Sequence, residues 1–447
     1  MAVPMGPQRR LSADELLRVA LDAESFTAAE AMDATGLTRA TILGLCDELA
    51  AASWLEELED SRRAGQSRRG RPARRLRLHR GAGVLVGVDA GRRGYRARAV
   101  DLRGRELAVA AREVDPADIA PDDAGRTRRR GIVREIVDEV LRVAAAEIAP
   151  TSTEPLVPLL TVIGIPAPVD PHGASPTGIS PFWWLMNADF PEHLPGRVVV
   201  ENDANLAALA EHARHPTDNL VTLLLSERIG AGIIIDGRLL HGRRGGAGEM
   251  RFLDAVLQDD VGAEGVAQLA RRWALEALDA GDGRDAAAAR DAADGHDATG
   301  TSADPAADGS TRPSPLAAIP RDRLSAPDIF GAAAVGDPLA RAVLERIGER
   351  IARLSTILLS LLDVDRIVVA GGVSAAMGPV LEHARSRLPH LVRAPFPELV
   401  ASELGSDVVL SGAVEHARAL LRASPLDLLD PSPRRGGKHD PLTEGPP

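Results

Sequence analysis

The chain has one cysteine, Cys46, in 447 residues. That excludes an internal disulfide and any zinc site assembled from several thiolates. Aromatic residues make up only 2 % of the chain, with one tyrosine and four tryptophans. Lysine is nearly missing: Lys438 is the only one, so arginine supplies the remaining positive charge, a bias we assign to genome composition rather than function. No apolar run reaches the ~18 residues of a membrane span, and the N-terminus lacks the apolar core of a signal peptide. A cytoplasmic protein without membrane association is expected. A net charge of −11 rules out attraction of nucleic acid by the whole surface, so any basic site must be local. The usage is otherwise globular, 45 % hydrophobic and 26 % charged, and the length requires two or three domains.

What is present begins with a helical unit. Residues 1–10 read as disordered. Ser12-Ala13-Asp14-Glu15 and Thr27-Ala28-Ala29-Glu30 have the capping-box spacing of helix starts. The second helix should stop at Gly36 and a third should start at Thr38. On the third, Ile42, Leu45, Cys46 and Leu49 fall on one face at helical spacing. Helix, glycine-containing turn and helix is the helix-turn-helix pattern, which points Thr38, Arg39, Thr41 and Gly44 toward a major groove. Cys46 on the buried face reads as a small core residue rather than a redox sensor. Residues 54–60 and 74–79 read as paired strands around a basic wing. Arg62, Arg63, Arg68, Arg69, Arg71, Arg74, Arg75, Arg77 and Arg80 occur there with no acid among them. Arg69-Gly70-Arg71-Pro72 suits a narrow minor groove, where negative potential is concentrated. A solvated loop is the plain alternative for the arginine run, and a dimerisation module for the small helical unit.

The remainder alternates strands and helices. Val84–Asp89, Arg96–Asp101 and Leu107–Arg112 form a meander, followed by an amphipathic helix from Gly131 to Ile148 and a strand at Leu159–Gly164. Val198-Val199-Val200 then leads into Glu201-Asn202-Asp203 and an Ala/Leu-rich helix. This puts a polar corner at the carboxyl end of a buried strand, where open α/β sheets bind ligands. Asp203 is also well placed to cap that helix. Residues 281–323 have almost no large apolar side chains and read as a disordered insertion, and 424–447 as a disordered tail.

From Leu11 to Leu421, with that interruption, the chain resembles the ROK family of repressors and sugar kinases in the actin-like superfamily. Gly164–Asp170 is similar to the family's loop beside the sugar. Asn202-Asp203 resembles the pair that hydrogen-bonds sugar hydroxyls, whose Asp is the general base in the kinases. Gly248-Glu249 resembles the start of Gly-Glu-x-Gly-His, but Arg251 and Phe252 stand at its Gly and His. The cysteine-rich zinc loop expected next is missing. The kinases' first phosphate turn, Asp-x-Gly-Gly-Thr, is here Asp89-Ala90-Gly91-Arg92-Arg93. The second, Gly-Thr-Gly, has become Ser226-Glu227-Arg228, which puts negative charge where phosphates would lie. Trp183 and Trp184 follow the sugar loop and are either ligand platforms or core.

The resemblance implies an α/β fold in which a winged helix-turn-helix, 8–80, precedes a two-lobed actin-like (ribonuclease H-like) domain. Lobe one would span 82–200, closed by a C-terminal helix at 412–422, and lobe two 201–411. The implied function is a DNA-binding transcriptional regulator, a repressor, controlled by a sugar or sugar-derived effector. Thr38, Arg39, Thr41, Arg68, Arg69 and Arg71 would meet DNA, and Asn202, Asp203 and Glu249 the effector. No enzyme activity, metal or cofactor is expected, and the partners would be an operator duplex and a second copy, as homodimer or homotetramer. The alternatives are an ATP-dependent sugar kinase with Asp203 as base, and a regulator whose cleft binds nothing.

Overall fold

In a computed structural model, which describes residues 6–58, 74–151, 154–226, 228–250, 264–293 and 314–429, the chain divides into two units. One comprises Met1–Pro216, Arg238–Ala247 and Val408–Pro447, and the other Thr217–Gly237 and Gly248–Asp407. Helix α6, introduced below, thus belongs to the first unit, whereas the sequence boundaries put it in the second lobe.

The first unit opens with α1 (Pro7–Asp22), which has proline in its first turn, where a missing N–H costs nothing. The helix therefore begins inside the segment read as disordered. Ser12 is not its cap but a buried helical residue donating to the Gln8 carbonyl at 3.3 Å. Helix α2 (Ala28–Thr35) has the reciprocal Thr27–Glu30 capping box and ends on Gly36 in the left-handed region, φ +70°. Helix α3 (Arg39–Ala51) is capped by Thr38 and buries Ile42, Leu45, Cys46 and Leu49. Strands β1 (Phe26–Thr27), β2 (Leu55–Glu57) and β3 (Arg75–Leu78) form a small sheet in the order β1-β3-β2. Leu55, Leu76 and Leu78 of this sheet are buried. The wing tip, with Arg62, Arg63, Arg68, Arg69 and Arg71, lies outside the described residues.

Strands β4 (Val84–Ala90), β5 (Gly94–Asp101), β6 (Glu106–Glu113), β7 (Leu160–Ile165) and β8 (Arg197–Asn202) form a sheet ordered β6-β5-β4-β7-β8. The first three are antiparallel and β4, β7 and β8 are parallel. Central β4 and β7 are buried on both faces, which is why they read as continuous apolar runs. Helix α4 (Asp123–Ile148) starts eight residues before the predicted Gly131, because the Asp122 side chain accepts from the Gly125 N–H at 2.8 Å and fixes an earlier turn. Short helix α5 (Pro181–Met186) carries the two tryptophans, and α6 (Asp203–Arg214) leaves β8 at the polar corner.

The second unit repeats this scheme. Strands β9 (Leu220–Leu225) and β10 (Ile229–Ile235) are antiparallel. Strands β11 (Arg366–Ala370) and β12 (Glu398–Ala401) continue from β9 in parallel. Helices α7 (Val266–Ala293), α8 (Ala326–Ala334), α9 (Pro338–Leu362) and α10 (Gly378–Leu391) complete the unit. A sheet repeated in two units is the actin-like architecture. The backbone of α7 continues to Ala293, and Leu316 is part of the core, so the insertion read at 281–323 is helical at its start and packed at its end. Residues 294–313 lie outside the described chain.

The chain then returns to the first unit through α11 (Val408–Ala423) and α12 (Pro425–Leu429). Helix α11 packs so closely on β4 and α6 that only glycine fits at two crossings. A Cβ on Gly87 would lie 2.9 Å from a Val414 methyl, and one on Gly412 would lie 1.9 Å from the Leu206 carbonyl oxygen. The start of the predicted tail is thus ordered: Pro425, Leu426, Leu428 and Leu429 are buried. Among the described residues no helix is long and apolar enough to cross a membrane, and no His, Cys, Asp and Glu cluster is arranged for a metal ion.

Candidate functional site

The run Val198-Val199-Val200 ends in the polar corner because β8 stops where α6 needs a cap. Asn202 provides that cap, its Oδ1 accepting from Ala204 N at 3.0 Å and Asn205 N at 3.1 Å. Its Nδ2 donates to the Ala167 carbonyl at 3.0 Å, which ties the corner to the loop after β7. Capping, which the sequence allows to Asp203, is thus done mainly by its neighbour. One amide N–H of Asn202 is left for a ligand. Asp203 is half-buried in the first turn of α6 and accepts from Ala204 N at 2.8 Å. A carboxylate there also benefits from the positive end of the helix dipole.

Glu201, read from the sequence as part of the polar corner, and His241, which sequence reasoning missed, stand behind this pair. Glu201 is 4 % exposed, and its Oε1 accepts from Asn202 N at 2.7 Å and Asn205 Nδ2 at 2.9 Å. Its Oε2 lies 2.8 Å from His241 Nε2. Burial pushes the Glu201 carboxyl up, but the hydrogen bond and charge of His241, the charge of His416 and the Asn205 amide together hold it below the usual carboxylate range. The same hydrogen bond raises His241 above the ordinary histidine value, against the opposing effect of burial. His416 of α11 is pushed down, chiefly by burial, against the attraction of Glu201. The signal in the sequence was an acid closing a β-branched run, a place where a charge is buried and requires a partner. That partner is 40 positions away.

The loop bearing His241 is fixed to the same corner. Gly245 has φ +67°, and a Cβ on it would lie 2.1 Å from the Val169 carbonyl oxygen. Asp170, in the loop expected beside the sugar, uses its Oδ1 to accept from His172 N and Ala174 N, both at 2.9 Å. Glu249 belongs to the other unit, where it bridges to Gly230.

The first phosphate-type turn is held from behind. Arg129 of α4 is fully buried and donates to the carbonyls of Ala90 at 2.8 Å and Gly91 at 3.0 Å and to the Tyr95 hydroxyl at 2.5 Å. Burial lowers its pKa. Arg92 and Arg93 are exposed at the tip. Trp183 is core, and Trp184 has a face covered by the Arg126 guanidinium, 4.4 Å from the ring centroid. Of the second turn, Glu227 lies outside the described residues, as do Arg251 and Phe252.

In the N-terminal module Thr38 and Thr41 share a hydrogen bond of 2.9 Å at the start of α3, beside exposed Arg39. Three of the wing-base arginines are internally paired. Arg74 contacts Asp47 and Glu57, each at 2.9 Å, Arg77 contacts Glu56 at 2.6 Å, and Arg75 meets the Ser25 hydroxyl at 3.1 Å. They brace the hairpin rather than stand ready for phosphate. Helix α1 is fastened to the C-terminal helices: Arg18 donates to the carbonyls of Arg422 and Ala423 at 2.8 and 2.9 Å. Asp22 pairs with Arg422 at 2.9 Å, Arg10 with Asp427 at 3.0 Å, and Asp14 accepts from Leu426 N at 2.8 Å.

Comparison with known proteins places these features in a family. Residues 120–420 match the pattern of the ROK family. The chain is 29 % identical over 228 residues to a glucokinase of Halalkalibacterium halodurans, covering 48 % of this chain and 62 % of that one. It is 25 % identical over 256 residues to a xylose repressor of Caldicellulosiruptor bescii, covering 55 % and 59 %. The chain therefore spans less than two thirds of either relative. Among solved structures, a ROK family transcriptional regulator described as a homologue of the E. coli MLC protein superposes with a TM-score of 0.66. That match has 20 % identity and covers 94 % of this chain and 98 % of the other.

Proposed function

The chain belongs to the ROK family, and on that premise we propose that it is a DNA-binding transcriptional regulator, a repressor, whose operator affinity is set by a sugar or sugar derivative at the Asn202–Asp203 corner. The observation that carries this reading is the module of α1, α2, α3 and the β1-β3-β2 sheet. We read it as a winged helix-turn-helix, placed in the chain ahead of the residues that match the family. The likeness to a regulator over 94 % of the chain, and to a xylose repressor, supports it.

In this reading Thr38, Arg39 and Thr41 meet base edges, and the wing with Arg68, Arg69 and Arg71 follows the backbone or minor groove. A homodimer or homotetramer presents two such modules to paired half-sites. Asn202 and Asp203 hydrogen-bond sugar hydroxyls. The corner acts on the module through α6 and α11, because α11 packs on α6 at Gly412 and ends under Arg18 of α1. The sugar shifts the operator-binding state only by its difference in affinity for the two states.

A second reading, an ATP-dependent sugar kinase with Asp203 as general base, is favoured by the likeness to glucokinase. Arg92 and Arg93 in the first turn and Ser226-Glu227-Arg228 in the second oppose it, since the matching turns of the family's kinases bring nucleotide phosphates close to backbone, which bulky side chains and negative charge disfavour. The test is titration of the full chain into a duplex from upstream of its own gene, with glucose, xylose or N-acetylmannosamine added, alongside ATP turnover with each sugar. Specific binding relieved by one sugar supports the regulator. Sugar-dependent turnover abolished by Asp203→Asn, without duplex binding, overturns it in favour of the kinase.

A further inference from the structure

The loop between His241 and Ala247 does more than close the corner. Arg243 and Arg244 are the two central residues of a turn closed by the Gly245 N–H to the Gly242 carbonyl at 3.4 Å. Both side chains are exposed, and neither has an ion pair or hydrogen bond among the described residues. The carboxylates of the corner do not account for them. Both oxygens of Glu201 accept from Asn202, Asn205 and His241. Asp170 Oδ1 accepts from His172 and Ala174, and Asp203 accepts from Ala204. Adjacent guanidiniums without a counter-charge repel each other.

The turn is also rigid. His241 anchors its start on Glu201 at 2.8 Å, Ala247 N donates back to the His241 carbonyl at 3.1 Å, and Gly245 rests on the Val169 backbone. The two guanidiniums therefore project from a preformed platform fixed to the loop after β7 and to the acid behind Asn202. Ordering such a platform in advance lowers the entropy cost of binding. Guanidinium matches phosphate and carboxylate with two parallel N–H donors.

We propose that the turn Gly242–Gly245 is an anion-binding arm of the corner, and that the effector is a sugar carrying a phosphate or carboxylate group rather than a neutral sugar. The inference rests on the reading that the Asn202–Asp203 corner binds the sugar itself. In this arrangement the corner recognises hydroxyls, the arm recognises the charge, and discrimination comes from the arm.

The experiment is calorimetric titration of the full chain with two sets of probes. Glucose and N-acetylmannosamine are the neutral parents. Glucose 6-phosphate, glucose 1-phosphate, N-acetylmannosamine 6-phosphate and glucuronate are the charged forms, with inorganic phosphate as control. At least one charged sugar is expected to bind ten-fold or more tightly than its parent, with phosphate esters and glucuronate separating the two sources of charge. Arg243→Gln/Arg244→Gln is expected to erase that preference and leave the parent within two-fold. Asp203→Asn is expected to weaken parent and charged form alike. Equal binding of parent and charged form, a preference that survives the double substitution, or binding of inorganic phosphate as tight as any sugar overturns the inference. If a neutral sugar binds and Asp203→Asn weakens it, the corner stands while the arm falls. If no probe binds, both fall.

Discussion

The sharpest consequence of the buried pair concerns Glu201→Gln. Glutamine keeps an oxygen for Asn202 N and Asn205 Nδ2 and turns its amide toward His241 Nε2, so the shape is preserved and only the charge is lost. A hydrogen bond to a charged group contributes about 1.5–3 kcal/mol and a neutral one about 0.5–1.5, so the substitution should cost about 1–2 kcal/mol. The pH dependence has a definite sign. His241 is raised in the folded chain, so its contribution is complete below about pH 6.5 and is lost as pH rises through its folded value. Glu201 is lowered, so its contribution is complete above about pH 4.5 and is lost as pH falls through its folded value. The substitution should therefore cost most at about pH 5–6.5 and least near pH 9. Urea denaturation at both pH values measures the difference, and NMR titration, with His241→Gln to assign the resonance, measures the pKa. An equal loss at both pH values, or His241 in the unsubstituted chain titrating at or below the ordinary value, would refute the charged pair.

Other consequences follow from close packing and burial. Gly412→Ala drives a methyl against the Leu206 carbonyl, 1.9 Å away, and should cost on the order of 1–3 kcal/mol while weakening sugar binding through α6; an unchanged melting temperature would contradict the crossing. Cys46 is fully buried with its thiol pushed up to about 11, so a thiol reagent should leave the native chain unmodified and label it only in denaturant. Arg18→Ala leaves two carbonyls at the end of α11 without their donor and should speed proteolysis at the α11–α12 junction; an unchanged cleavage rate would show that the fastening is idle. Arg39→Ala should alter base preference by about 1–3 kcal/mol per lost contact, read by binding to randomised duplexes.

Much of this architecture is legible in local sequence. The Thr27–Glu30 box, Gly36 and Thr38 mark the helix boundaries because capping chemistry is local. The apolar runs of β4 and β7 are legible because strands buried on both faces leave no room for alternation. The wing base and the corner were harder, since their partners are distant. Arg74, Arg75 and Arg77 look like free charge until Asp47, Glu57, Ser25 and Glu56 fold against them. Glu201 finds His241 only after the chain has passed through α6, β9 and β10. The helix at Pro425–Leu429 was missed because Pro425 and Asp427 outweighed Leu426, Leu428 and Leu429, whose burial depends on docking rather than on propensity.

The proposed regulation depends most directly on the link between the two kinds of site. If a sugar lowers the affinity of this chain for its operator by some factor, the operator must lower the affinity for that sugar by the same factor, commonly about 5–150-fold. Titrating the sugar into the free chain and into the chain saturated with duplex measures both. The predicted result is equal factors, with the sugar response removed by Asp203→Asn and duplex binding retained. Sugar binding that is the same with and without the duplex would contradict the account.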